Sequence, residues 1–321
     1  MADYPIDAVI LWVDGNDQAL NEKRRRYAPD FLFRHDDVAG ATRFANIGEI
    51  FWCVASINRF APWVNRIFIV TDGQDPELEG FLDEHFPEGH VPVGIVDHSV
   101  IFREYGSYLP VFNSNAIETM IWRIPGLSEH FILFNDDFLL TAPAAPEDFF
   151  LPDGKVVCYA DRYITVLTRL TRRLKRKKDN LKPFTFKGAM LNGAALAGGG
   201  FTYLKLDHTP RALLVSFYEE YFKVHPEVLL SNIRNRFRDT SDYEAQELLY
   251  MALERKHRCK VISPSRLLFY MQPKDKAGYV AGKLARLKKG SYRFCCFNSL
   301  ESAPEEDRKA VISWIEGLLD I

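Results

Sequence analysis

Apolar residues in this chain recur in short β-rich blocks separated by stretches with helical spacing. IDAVILWV, residues 6–13, is closed by the turn residues Asp14-Gly15-Asn16-Asp17 and predicts a first strand. Residues 47–60 then place Ile47, Ile50, Phe51, Val54 and Ile57 on one helical face before Pro62 stops the pattern. RIFIVTDG predicts a second strand over 66–71, and VPVGIVDH a third that ends at Asp97 and His98. Residues 113–124 read as a helix with Asn113 or Ser114 as its N-cap, and FILF, residues 131–134, as a fourth strand. Strands alternating with helices predict βαβ units and a mainly parallel sheet.

Beyond residue 150 the pattern changes. YITVLTRLTRRLKRKK, residues 163–178, predicts a helix carrying Arg169, Arg172, Arg173, Lys175, Arg176, Lys177 and Lys178. KGAMLNGAALAGGGF, residues 187–201, is rich in small residues and reads as either a mobile loop or a close backbone approach to a ligand. Further helical patterns cover 210–224, 241–256 and 304–319. The fold class predicted is α/β, with a mainly parallel, Rossmann-like sheet flanked by helices and a helical elaboration in the second half. Residues 1–150 would form the core, 151–240 a basic insertion, and 241–321 a segment completing the core.

The chemistry lies at the strand exits, each of which carries an acidic residue: Asp14, Asp72, Asp97, and Asp136 with Asp137. In a parallel sheet these exits gather along the edge where ligands bind. Carboxylates gathered there repel one another unless they hold a cation, accept hydrogen bonds or contact a hydroxyl-rich ligand, which favours a nucleotide-sugar site. The alternative is that each aspartate merely caps the following turn or helix. In the second half, His208 lies in LDHTPRAL before a predicted helix and could act as a general base. Arg238, in RFRDTSD, could grip phosphate or pair with Asp239 or Asp242, ahead of a helix that Thr240 or Ser241 would cap.

Composition narrows the class. With 47% hydrophobic and 26% charged residues the chain is globular, and a net charge of -2 disfavours a nucleic-acid binder. Five cysteines (Cys53, Cys158, Cys259, Cys295, Cys296) without metal-type spacing point to a reducing compartment, with Cys295 and Cys296 as core. No signal-peptide pattern and no apolar run of about 18 residues is evident, so a cytoplasmic location is expected. The basic run 169–178 adds the option of contact with the inner membrane face or a capsule assembly machinery.

At IDAVILWVDGND, Arg43-Phe44, SINRFAPWVNRIFIVTDGQ, LPVFNSNAIE and GLSEHFILFNDDF the chain resembles the Stealth family of sugar-1-phosphate transferases. DHTP and RFRDTSDYEAQ match its third region, and FCCFNSLESAPEEDRKAV its fourth. Where relatives read Asn-Asp in the fourth region, this chain has Asn298-Ser299. The resemblance implies essential positions at Glu118, Asp137, His208 and Arg238, and a nucleotide-sugar site involving Asp14, Gly15, Arg43 and Asp72. Glu118 has no signal of its own, since a single Glu on a helix is usually solvated. The implied reaction takes a UDP-sugar donor and a glycan acceptor, releases UMP and leaves a phosphodiester. Mg²⁺ (or Mn²⁺) on Asp137 and Asp136 would neutralise phosphate charge. A glycosyltransferase that releases UDP and a carbohydrate-binding protein without activity are the rival readings.

Overall fold

The computed structural model describes residues 4–28, 47–178, 184–273 and 278–321, with 172–178 described only as the course of a helix. Arg43 lies outside the described residues. The centre is a sheet of β1 (Ile6–Leu11), β2 (Ile67–Thr71), β3 (Val93–Asp97), β4 (His130–Asn135) and, further along the chain, β8 (Arg211–Leu214), in the order β3-β2-β1-β4-β8. Its first four strands are parallel and β8 runs antiparallel to β4. Ile6, Ala8, Val9 and Ile10 of β1 are all buried, as expected for a central parallel strand covered on both faces. The register sets Leu11 beside both Val70 and Asn135, and Thr71 beside Asp97, so the acidic strand exits do gather along one edge.

The helix Glu49–Phe60 buries residues around most of its circumference because it is covered from two sides, by β5 (Phe138–Leu140) and by the helix Glu305–Leu319. Arg59 ties the two helices, donating from Nε and Nη2 to the Leu319 carbonyl at 3.1 and 2.7 Å. A second sheet joins β5 to β11 (Phe294–Phe297) and β10 (Leu268–Met271), and a third joins β6 (Val156–Ile164) to β7 (Thr202–Leu206) and β9 (Cys259–Ile262). One hydrophobic core runs from Ile6 to Leu319. Among the described residues no helix is long and apolar enough to cross a membrane.

Several sequence expectations change. Residues 163 and 164 finish β6, and the helix begins at Thr165. The pattern over 210–224 is a strand followed by a helix. Arg211–Leu214 hydrogen-bonds to the edge of β4, and Pro210, which has no N–H to give, leads into it; helix Val215–Val224 comes next. Residues 113–124 break into helix Ser114–Glu118, capped by Asn113, and a 3₁₀ turn Ile121–Arg123. Most of the glycine-rich segment is helical rather than a loop: it forms helix Phe186–Leu196, capped by Thr185, and the Gly193 backbone closely approaches helix Ala245–Arg255 and the Glu244 before it. That latter helix is N-capped at Glu244, not at Thr240 or Ser241, which lie in the preceding turn.

Candidate active site

Asp136 and Asp137 form the two-residue turn between β4 and β5, where the chain passes from the central sheet to the second sheet. Pairing of Phe138 with Cys296 brings the end of β11 alongside. The Cys296 thiol donates to Asp137 Oδ2 at 3.2 Å, and Asn298 Nδ2 donates to the same oxygen at 3.4 Å. Burial, then the neighbouring Asp137 carboxylate, pushes the Cys296 thiol well up, so it stays a protonated donor. Cys296 is therefore core, as expected, and also a contact of the acidic turn. Burial, followed by the charges of Asp137 and Glu49, pushes Asp136 well above the usual carboxylate range.

His208 sits in the loop between β7 and β8. Its ring stacks on Tyr270 with centroids 4.6 Å apart and meets the edge of Phe138 at 6.0 Å. One ligand atom each from His208, Asp137 and Cys296 lie within 4.8 Å of one another. Burial lowers the imidazole from its ordinary value more than the Asp137 charge raises it, which favours the neutral ring at neutral pH.

Glu118 and Arg238 are positioned by a buried amide network. Asn113 Nδ2 donates to Asp242 Oδ2 at 2.9 Å and to the Asn235 carbonyl at 3.1 Å. Asn232 Nδ2 donates to the Asn115 carbonyl at 3.0 Å, to Thr119 Oγ1 at 2.7 Å and to the Tyr243 carbonyl at 3.1 Å. These bonds lock the short helix bearing Glu118 to the 232–243 segment bearing Arg238. Arg238 Nη2 donates to Ser114 Oγ at 3.1 Å, and the guanidinium lies 4.4 Å from the Phe186 centroid and 5.1 Å from that of Phe184. Asp239 and Asp242 accept from Ser241 and the amide network, so both have the roles of local acceptors.

Glu118 packs against Arg211, whose Nη1 is 3.6 Å from Glu118 Oε2 and 2.7 Å from Glu244 Oε1. Two buried carboxylates thus share one guanidinium. Burial, then the Glu244 charge, pushes Glu118 up to about 8 despite Arg211.

The other strand exits divide. Asp72 is paired with Lys23 at 2.7 Å. Asp97 caps the helix His98–Ile101, the bland alternative for that residue. Asp14 accepts from the Asn16 N–H, while its backbone is held by Gln74. A cleft of about 660 Å³ brings Asp72, Glu118, Asp136, Asp137, His208 and Arg238 to one wall-to-wall site. Asp14 and Gly15 come directly after Leu11, Trp12 and Val13, which line it, but are not themselves lining residues. Arg211, Glu244, His98, Asn298 and Glu301 also line it and were missed by sequence reasoning. Reading 210–224 as one helix hides Arg211, and Glu244 falls inside the helical pattern over 241–256 with no signal of its own. Glu301, two residues beyond Ser299, supplies a carboxylate near the position where Asn298-Ser299 lacks one.

Residues 4–31 match Stealth protein CR1, conserved region 1, and residues 43–158 match Stealth protein CR2, conserved region 2. The receptor polysaccharide phosphotransferase WefC of Streptococcus gordonii is 31% identical over 332 residues, covering 94% of this chain and 92% of that protein. The chain belongs to the Stealth family. The Stealth regions matched contain Glu118 and Asp137, whereas His208 and Arg238 lie beyond them. Another relative, the exopolysaccharide phosphotransferase SCO6023 of Streptomyces coelicolor, is 34% identical over 260 residues; the match covers 77% of this Stealth chain and 39% of that protein. Among solved structures, the galactosyltransferase LgtC in complex with donor and acceptor sugar analogues aligns with a TM-score of 0.45 at 10% identity, covering 98% of this chain and 95% of that one.

Proposed function

We propose that the chain transfers a hexose- or N-acetylhexosamine-1-phosphate from a UDP-sugar to a hydroxyl of a glycan acceptor, releasing UMP and leaving a phosphodiester, in capsule or exopolysaccharide synthesis. The observation that carries this reading is the convergence of Glu118, Asp137, His208 and Arg238 on one cleft. It does so in a member of a family whose relatives include named polysaccharide phosphotransferases.

The acceptor oxygen attacks the β-phosphorus, the bond from that phosphorus to the oxygen retained by UMP breaks, and the hydroxyl proton passes to His208. A neutral, stacked imidazole suits this role because it can accept a proton without first losing one. Arg238 grips the transferring phosphate, its fork held by Ser114 and the Phe184 and Phe186 rings. Glu118, kept protonated near neutral pH, offers a hydrogen-bond donor at the cleft wall and positions Arg211 with Glu244. Asp72, with Asp14 and Gly15 beside the β1 exit, belongs to the nucleotide-sugar side.

Asp136 and Asp137 fit a hard divalent cation, Mg²⁺ or Mn²⁺. Crowded carboxylates, one pushed well up by its surroundings, gain from an ion that accepts oxygen ligands. Cys296, within 4.8 Å of Asp137 and His208, is a soft ligand and so a poor match for a hard cation that takes oxygen donors. When bound, the cation supplies neutralisation of diphosphate charge. Excess EDTA is expected to stop acceptor-dependent nucleotide release and added Mg²⁺ to restore it; undiminished release in EDTA would remove the cation from the reaction.

The direct test of the site is His208→Ala. Loss of a general base costs about 10²- to 10⁴-fold, so acceptor-dependent nucleotide release should fall by at least about two decades with an unchanged circular dichroism spectrum. A wild-type rate in this variant eliminates the role.

A further inference from the structure

Outside the cleft, one helix turns its apolar side chains outward. Among the described side chains of the helix Thr165–Lys178, residues 165–171, it is Thr165 and Thr168 that are buried, while Val166, Leu167 and Leu170 are 57%, 57% and 50% exposed. This inverts the ordinary amphipathic arrangement, in which apolar residues face the protein. The patch continues onto the neighbouring ladder. The Thr165 N–H donates to the Phe201 carbonyl at 3.0 Å, Phe201 is 73% exposed, and Ile164, which precedes the helix and is paired with Thr202, is 36% exposed. A single exposed leucine is ordinary, but apolar side chains grouped in this way mark a contact surface. The same helix has no acidic residue and carries Arg169, Arg172, Arg173, Lys175, Arg176, Lys177 and Lys178 in its sequence.

We infer that this face docks on a bilayer containing anionic phospholipid. Only a surface offering both hydrocarbon and dense negative charge complements exposed aliphatic side chains on a helix this basic. Nucleic acid would leave the leucines in water, and an apolar protein partner would leave the cations without a counter-charge. The helix has 14 residues and is about 21 Å long, short of the roughly 30 Å hydrocarbon core, so it lies in the interface and does not cross it. The docking does not rest on the phosphotransferase reading.

Co-sedimentation of the full chain with vesicles tests this, comparing phosphatidylcholine alone with phosphatidylcholine mixed with phosphatidylglycerol. Binding to the mixed vesicles should exceed binding to the neutral ones by about tenfold or more and weaken as salt is raised. Leu167→Asp combined with Leu170→Asp should reduce it by about tenfold or more, and Arg169→Glu alone should also reduce it, with nucleotide release on a water-soluble acceptor unchanged in both variants. The docking is overturned if the wild type ignores the mixed vesicles, binds both kinds equally, or is matched by both variants. It is equally overturned if the wild type binds no vesicle but self-associates in analytical ultracentrifugation through a contact that the leucine substitutions abolish. Because nucleotide release is read separately, loss of docking and loss of the phosphotransferase activity are distinguishable.

Discussion

Glu118 departs far from what its residue type suggests. Nearly fully buried and sharing Arg211 with Glu244, it is pushed up to about 8, against an unfolded value of about 4.3. Between those two values the folded chain keeps a proton that the unfolded chain has released. The stability this proton contributes is fully present below the unfolded value and is lost as pH rises through about 8. Glu118→Gln removes the ionisation, so its melting temperature relative to wild type should rise steadily across that window. A difference that does not change with pH would mean that Glu118 is ionised throughout and simply paired with Arg211. After burial it is the Glu244 charge that raises Glu118 most, so Glu244→Gln should flatten the same dependence.

At the scale of elements, the site depends on how closely two helices meet. A Cβ on Gly193 would lie 2.7 Å from the Glu244 carbonyl and 3.2 Å from the Leu248 nitrogen, both backbone atoms that cannot swing aside. Gly193→Ala should therefore cost about 1–3 kcal/mol of stability, read as a lower denaturant midpoint. It should also slow turnover by shifting Glu244 and, through Arg211, Glu118. An unchanged midpoint would contradict the packing. This element shows which features were legible in advance. The central strands were, because β1, β2 and β4 are covered on both faces and read as continuous apolar runs. The helix Phe186–Leu196 was not, because the glycine that permits its close packing looks locally like a loop signal. The edge strand β8 was lost because four residues carry no period of their own and merge into the next helix. With it went Arg211, whose importance comes from strand register opposite Leu133. The acidic turn was legible from its position after a strand. Its partners Cys296 and Asn298 were not, since the pairing of β5 with β11 is set across nearly half the chain.

On the scale of the whole molecule, the cleft is assembled where separate layers meet. The central sheet contributes the exits of β1, β2 and β4; the second sheet contributes Asn298 after β11 and Gln272 after β10; the amide network brings in Glu118 and Arg238. No single segment carries the site, and the three sheets are held in register by one continuous core. A carbohydrate-binding protein without activity has no need of a half-buried histidine, held neutral and set beside an acidic turn, or of an arginine whose fork is held by a serine and two aromatic rings. A glycosyltransferase could use a similar set of groups, and it differs in which bond breaks: the sugar C1–O bond instead of the P–O bond. The leaving nucleotide therefore reports on the central claim most directly. Purified chain, Mg²⁺, a panel of UDP-sugars and candidate glycan acceptors should yield acceptor-dependent UMP on chromatographic separation of UMP from UDP. Acceptor-dependent UDP in its place would contradict sugar-1-phosphate transfer and assign the cleft to glycosyl transfer.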